Sequence, residues 1–410
     1  MTDYPIKLRW SGISTFMGCQ RAYDLSYREG LVRNGGSDSR SRILGSHVHA
    51  GIHAALNYYF NTERELHPAT FQRELPRIME RLVGKAVQAV RDYNNEITEK
   101  GRTVVLYPNG SIEPDVEYYG MMSAIVVQAV SIVRYQLPVL GLGRQYRVAS
   151  IGEVLGQSGS IYNVPMTEWN FHLFAHRDDS DGSYALLRDY EEGDSDFYDG
   201  DMHVEPSFDL TGTADAVLQD LHTGEYILFD WKCRKQMPDN RLVDLDGQLR
   251  YYAAVINYIS GHPIINRTCQ YQMSQSVPRP AEFTEKTKRV SMAAIISTWE
   301  VWSQSLRDIG IDPEPFRERM EPKLRTEEDF RRPVFTPVTP ISSARILNIV
   351  LNIGQKIEQS ERDDSFPPMP SLYGCEFCDF KAICSADLNG GDPFYVRETE
   401  YHHEEPTGDD

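Results

Sequence analysis

The chain has 410 residues, 40% of them apolar, and a formal charge of −18. Such a length and composition suit a large folded core, in one big domain or two to three smaller ones, and exclude a disordered or fibrous chain. The acidic total excludes a uniformly basic nucleic-acid binder, but the charge is unevenly spread. Asp178–Asp201 holds ten acids and one Arg, and Ser385–Asp410 holds eight acids and one Arg. The rest is nearly neutral and free to carry a basic groove. Both acidic stretches read as solvated, the first as a loop and the second as a disordered tail. "MTDYPIKLRW" lacks the apolar heart of a signal peptide. The longest apolar run, Met121–Val133, reads as a buried helix too short for a bilayer. A soluble, cytoplasmic protein with no membrane contact is expected.

In chain order, Ser11–Leu31 reads as a helix capped by Ser11, then an extended segment and a turn. "NGGSDSRSR" (34–42) is a loop. Ile43–Phe60 has apolar residues at helical spacing and carries His47, His49 and His53. Residues 61–140 read as mostly helical, and 145–190 as short strands. "FDLTGTADAVLQDLHTGEYILFDWKCR" alternates as two strands joined at "HTGE". A helix follows over "DLDGQLRYYAAVINYIS", then a strand near "RTCQYQMSQ". "VPRP" and "RRPVFTPVTP" break the chain, Ile341–Arg362 forms the last long helix, and "PPMP" leads into "CEFCDFKAIC".

The hairpin carries the first constellation. Asp230 and Lys232, two apart on a strand, share a face, with Trp231 on the other. A turn at Thr223–Gly224 pairs His222 with Glu225 and places Asp215 opposite Lys232. Asp230 is then diagonal to Asp215, at about 7–8 Å between backbones. Two carboxylates and an ammonium on one face suit a hard cation such as Mg²⁺ or Mn²⁺ acting on a phosphate; a solvent-facing salt bridge is the simpler alternative. Gln248 and Tyr252 share a helix face. His49 and His53, one turn apart, could ligate a metal, zinc included, although no H-E-x-x-H motif is present. Arg234, Lys235, Arg250 and "EKTKR" (285–289) are candidate phosphate contacts.

Of six cysteines, Cys375, Cys378 and Cys384 lie within ten residues. In a reducing compartment that spacing favours metal ligation over disulfides. Cys233 and Cys269 fall in strands and read as buried; Cys19 follows a short helix. Four thiolates suit structural zinc or an iron–sulphur cluster equally.

These motifs, in this order, resemble the PD-(D/E)xK nucleases of the RecB-like branch with an iron–sulphur cluster: Gly45-x-x-x-His49, "GTAD" ending in Asp215, "DWK" at 230–232, and Gln248-x-x-x-Tyr252. "PPMPSLYGCEFCDFKAIC" resembles the cysteine signature of the CRISPR-associated iron–sulphur nucleases, the AddB nuclease domain and phage homologues. The resemblance implies an α/β restriction-endonuclease-like core, a central mixed sheet flanked by helices. It implies one domain over 1–384, with a mainly helical insertion over about 61–205 that includes the acidic loop 178–201. Segments 11–31 and 370–384 would form the cluster-binding ends, followed by the tail 385–410. It implies that His49, Asp215 and Asp230 bind Mg²⁺ or Mn²⁺, that Lys232 is the catalytic lysine with both aspartates, and that Gln248 and Tyr252 position the strand. A 4Fe–4S cluster, with zinc as the alternative, would be held by Cys19, Cys375, Cys378 and Cys384. The expected activity is a deoxyribonuclease, an exonuclease on single strands or ends, in recombination, repair or replication. No G-x-x-x-x-G-K-[ST] is present, so unwinding would need a separate helicase. Two alternatives remain at this point: a non-catalytic nucleic-acid-binding adaptor with a metal staple, and an RNA-directed nuclease of the same fold.

Overall fold

The computed structural model describes residues 5–33, 40–66, 68–100, 104–106, 112–114, 116–178, 183–187, 198–199, 202–203, 206–239, 243, 246–284, 289–371 and 374–403. The expected loop at 34–42 and acidic loop at 178–201 therefore lie largely outside the described residues, as does 404–410. Strand β1 (Ile6–Arg9) leads into helix α1 (Trp10–Gly18), and strand β2 (Leu31–Arg33) follows. Three long helices come next: α2 (Arg40–Thr62), α3 (Pro68–Lys100) and α4 (Val116–Gln136). Then come β3 (Tyr146–Val148), β4 (Thr167–Arg177), β5 (Tyr184–Leu187), β6 (Phe208–Asp220) and β7 (Tyr226–Arg234). Helix α5 (Gly247–Ser260), strand β8 (Ile265–Ser274), helix α6 (Trp299–Asp308), strand β9 (Arg331–Pro337) and helix α7 (Pro340–Arg362) complete the body. Helices α8 (Lys381–Leu388) and α9 (Pro393–Glu400) and strand β10 (Tyr401–His403) end the described chain.

Eight strands form one mixed sheet, in the order β9-β8-β7-β6-β4-β5, with β1 and β3 also paired to β6. Both faces are covered. Ile227, Phe229 and Trp231 of β7 enter a core with Val48, Ile52, Leu82 and Ile125 of α2, α3 and α4. Leu228 enters the other core with Leu249 and Ala253 of α5 and Val350 of α7. A strand buried on both sides reads as a near-continuous apolar run, as "YILFDW" does. Asp246 caps α5 by accepting the Gln248 N–H at 3.0 Å, and Thr339 with Ser342 forms a capping box on α7. This is the α/β architecture expected from the sequence.

Several expectations need correction. Helix α1 starts at Trp10, and Arg9 at its N-cap makes no side-chain cap; Ser11 is already helical. The apolar stretch of α4 is longer than the 13 residues read from sequence, because Tyr119–Val139 is long and apolar enough to cross a membrane. Its residues Met122, Ile125, Ala129, Ile132 and Val133 are buried with α2 and α3, so one face packs into the core, while only 39% of the span is buried and Val127 lies exposed. Residues 331–337, read as a chain break, form strand β9 with Pro333 and Pro337 inside it. That position is an edge, paired only to β8, where proline is tolerated. The tail is ordered as far as His403: β10 pairs with β2, Arg397 meets Glu29 at 2.7 Å, and Phe380 stacks on Tyr401. Its charges sit on an amphipathic unit, where Val396 and Tyr401 pack against Leu25 and Leu31.

Candidate active site and cysteine centre

The hairpin pairs Ala216 with Phe229 and Gln219 with Tyr226, a register two residues away from the one expected. The turn decides it. Asp220 accepts the N–H groups of His222 and Thr223, the Asp220 N–H bonds the Glu225 carbonyl, and Gly224 supplies a φ of +76°. An Asx turn thus captures the loop two residues earlier than "HTGE" suggests. Asp215 is therefore not opposite Lys232. It lies between two ladders, since β6 pairs with β4 up to Ala214 and with β7 from Ala216. Freed from the ladder, its Oδ2 accepts the Trp231 N–H at 2.7 Å.

The candidate side chains nonetheless converge. His49, on α2, donates from Nε2 to the Trp231 carbonyl at 2.6 Å. Its Nδ1 then faces Asp215 Oδ2 at 3.6 Å and Glu168 Oε1 at 3.9 Å. The Lys232 ammonium lies 2.8 Å from Asp230 Oδ1 and 3.4 Å from Gln248 Oε1, and Gln248 Nε2 lies 3.2 Å from the Tyr252 hydroxyl. Tyr252 in turn packs where Gly212 has no side chain; a Cβ there would meet the Phe171 and Tyr252 rings at 2.7 Å. The other oxygen of Asp230, Oδ2, is buried without a hydrogen-bond partner.

Glu168 was not found from sequence. It opens the ladder of β4 with a φ of +46°, a strained conformation for a residue with a side chain, which costs about 1–3 kcal/mol and persists where surrounding structure imposes it. Among the described residues, His49, Glu168 and Asp215 are the set of three His, Cys, Asp or Glu ligand atoms within 4.8 Å of one another. His53 is not in that set; its Nε2 is taken by the Asn57 amide at 2.8 Å and its Nδ1 is buried without a partner, so the histidine pair read from the spacing does not gather with the carboxylates here. One imidazole nitrogen and several carboxylate oxygens, with an orphaned buried oxygen beside them, fit a hard divalent cation.

The electrostatics point the same way. Burial alone would lower the His49 pKa, but Asp215 and Glu168 outweigh it and raise it to about 9. Burial, opposed by His49 but reinforced by Asp230, pushes Asp215 up to about 7. Both groups keep their protons longer folded than unfolded. The metal-free protein should therefore lose stability as pH rises, through about 7 for Asp215 and about 9 for His49. A cation binding there must displace those protons. Melting curves at pH 6 and pH 8 with EDTA or Mn²⁺ should show a lower Tm at pH 8 in EDTA and a larger Mn²⁺ increment at pH 8. An increment that shrinks with pH would contradict the assignment.

The four cysteines also gather. Cys19 follows α1, Cys375 and Cys378 flank a turn, and Cys384 lies on α8. Burial raises Cys378 and Cys384, and the neighbouring Cys19 and Cys375 thiols raise both further. Backbone N–H groups of Met369 and Ser371 donate to Cys19 and Cys375 sulphurs, each at 3.4 Å. Cys269 is fully buried, as expected, while Cys233, expected to be buried, is half-buried against the core, and burial pushes its thiol up to about 12.

A family model described as the PD-(D/E)XK nuclease superfamily matches residues 182–385, so this segment carries a nuclease-superfamily domain. The match includes Asp215, Asp230, Lys232, Gln248, Tyr252 and three of the four gathered cysteines, while His49 and Glu168 reach the site, and Cys19 the cysteine centre, from outside it. No curated protein matches this chain.

Proposed function

We propose that the protein is a metal-dependent DNA nuclease of the RecB-like, iron–sulphur type, acting on single strands or ends in recombination, repair or replication. The observation that carries this is the buried, partnerless Asp230 Oδ2 beside the His49–Glu168–Asp215 set, a donor arrangement that lacks only a cation. His49 Nδ1, Glu168, Asp215 and Asp230 would hold Mn²⁺ or Mg²⁺. The bound ion supplies Lewis acidity, polarising the scissile phosphate and activating water. Burial would lower the Lys232 pKa, but Asp230 and Asp215 raise it above its ordinary value. The side chain is thus a fixed cation that stabilises charge building on the phosphate. Gln248 and Tyr252 hold the approach beside it.

For the cysteines, the reading is a 4Fe–4S staple. Cys19, Cys375, Cys378 and Cys384 would be its ligands, with the Met369 and Ser371 N–H groups donating to two of the sulphurs. Backbone N–H donors to the sulphurs are common around clusters. Any helicase or recombination partner would be a separate chain, and the cytoplasm is the compartment proposed. The test is cleavage of end-labelled single-stranded DNA, duplex DNA and RNA in Mn²⁺, Mg²⁺ and EDTA. Metal-dependent loss of single-stranded DNA, abolished in Asp215→Asn, is the expected result. Preferential loss of RNA would move the substrate, and no cleavage of any substrate would overturn the enzyme reading.

A further inference from the structure

Strands β1 and β7 pair with the same edge of β6 from opposite directions. β1 runs parallel along Phe208–Thr211, and β7 runs antiparallel along Ala216–Gln219. Their carboxyl ends, Arg9 and Arg234, therefore point toward each other across an unshared stretch of β6. Crevices outside the carboxyl ends of strands are where open α/β sheets take ligands. Here the gap is a cleft of about 530 Å³, lined by Arg9, Trp10, His172, Lys232, Arg234 and Tyr252, among others. It opens directly from the Lys232–Gln248–Tyr252 triad.

We propose that this notch holds a single nucleic-acid strand as it leaves the metal site, with phosphate against Arg9 and Arg234 and a base against Trp10. The proposal rests on the nuclease reading above and adds residues to it. Three observations carry it. Arg9 and Arg234 line the cleft with Asp246 as its one carboxylate, beside Lys232, whose charge Asp230 already meets at 2.8 Å; two cations beyond that pair are a local concentration in a chain of charge −18. Arg234 has its Nε–H buried without an acceptor, as a wall awaiting an anion would. Trp10 is held in place by glycine: its ring would lie 2.0 Å from a Cβ at Gly247, so it packs closely against the start of α5 at the cleft. On the far wall His172 Nδ1 lies 3.0 Å from Asp209 Oδ2, and the buried carboxylate fixes the ring. A volume of this size encloses one drug-sized molecule. It has room for a nucleotide or two of one strand and none for a paired duplex. Aromatic stacking with cationic phosphate contacts is how unpaired strands are held without regard to sequence.

The test compares wild type with Arg9→Ala, Arg234→Ala and Arg77→Ala, the last an exposed cation of α3 outside the cleft. The probes are a labelled 12-mer as single-stranded DNA, single-stranded RNA and blunt duplex DNA, and the small diester bis(4-nitrophenyl) phosphate. Each cleft variant should raise KM for the preferred single strand about tenfold, with a smaller effect on kcat. The salt slope should fall by about 0.7 for each phosphate that the variant leaves without its cation. Arg77→Ala should stay within about twofold on the same salt scale, and the duplex should show the highest KM. The two single strands separate DNA from RNA. If the cleft variants match Arg77→Ala, or the duplex binds as well as the single strand, the cleft proposal falls while the nuclease reading stands. If wild type cleaves neither the oligonucleotides nor the small diester, the nuclease reading falls. Fluorescence anisotropy of the labelled strand then decides the cleft alone: weaker binding in Arg9→Ala and Arg234→Ala supports it, and unchanged binding overturns it.

Discussion

Replacing Lys232 with Ala should lower kcat for Mn²⁺-dependent cleavage by about 10²–10³-fold, equivalent to about 2.7–4 kcal/mol, the loss typical for one preorganised charge donor. The ammonium sits 2.8 Å from Asp230 and 3.4 Å from Gln248, so its position is fixed before substrate arrives. Removing it also leaves Asp230 beside no cation, and an unpaired buried carboxylate is destabilising. Lys232→Gln keeps most of the stem and a polar tip, and separates the two effects. Both variants should retain the wild-type circular dichroism spectrum in Mn²⁺, and both should show that loss in kcat. Full activity in either would show that negative charge on the phosphate is met elsewhere.

Cys384→Ser should produce colourless protein where the wild type is brown, with its absorbance near about 400 nm lost. Loss of a structural metal belongs among the large single-residue effects, at about 4 kcal/mol. For a domain of this size each kcal/mol is worth about 2–4 °C in Tm, so the melting point should fall by about 10 °C. The damage should be local first. Cys19 and Cys375 are separated by 356 residues, but β10 still pairs with β2 and Arg397 still meets Glu29. Limited proteolysis should cut within 19–33 and 370–403 before the central sheet. Wild-type protein that is colourless and carries stoichiometric zinc would reassign the metal without moving the ligands.

The parts of the site legible in the sequence are those on regular elements. Asp230 with Lys232, and Gln248 with Tyr252, follow from strand and helix periodicity alone, and both pairs are in contact in the structure. The hairpin register did not follow, because it hangs on one side chain: Asp220 seizes two turn amides, and "HTGE" reads as the better turn by composition. Glu168 was hidden for a different reason. A carboxylate at a strained position at the start of a long strand has no motif around it, and only the tertiary approach of α2 and β6 gives it a role. Strand β9 was obscured by prolines that an edge can carry. The order in 385–403 was obscured by charge, since Phe380, Val396 and Tyr401 find their apolar partners in Leu25 and Leu31, across most of the chain's length.

The backbone of one residue ties much of this together. The Trp231 N–H holds Asp215 at 2.7 Å and its carbonyl holds His49 at 2.6 Å, while its indole is buried in the core shared with α2, α3 and α4. The middle residue of "DWK" thus works as a jig, clamping two would-be ligands from different elements to a single rigid backbone. Metal geometry and core density are consequently not independent variables in this molecule. A void opened under the indole lets the jig tilt, and both ligands tilt with it. Damage to an apolar layer that never meets substrate would then be felt first as a weakened hold on the ion.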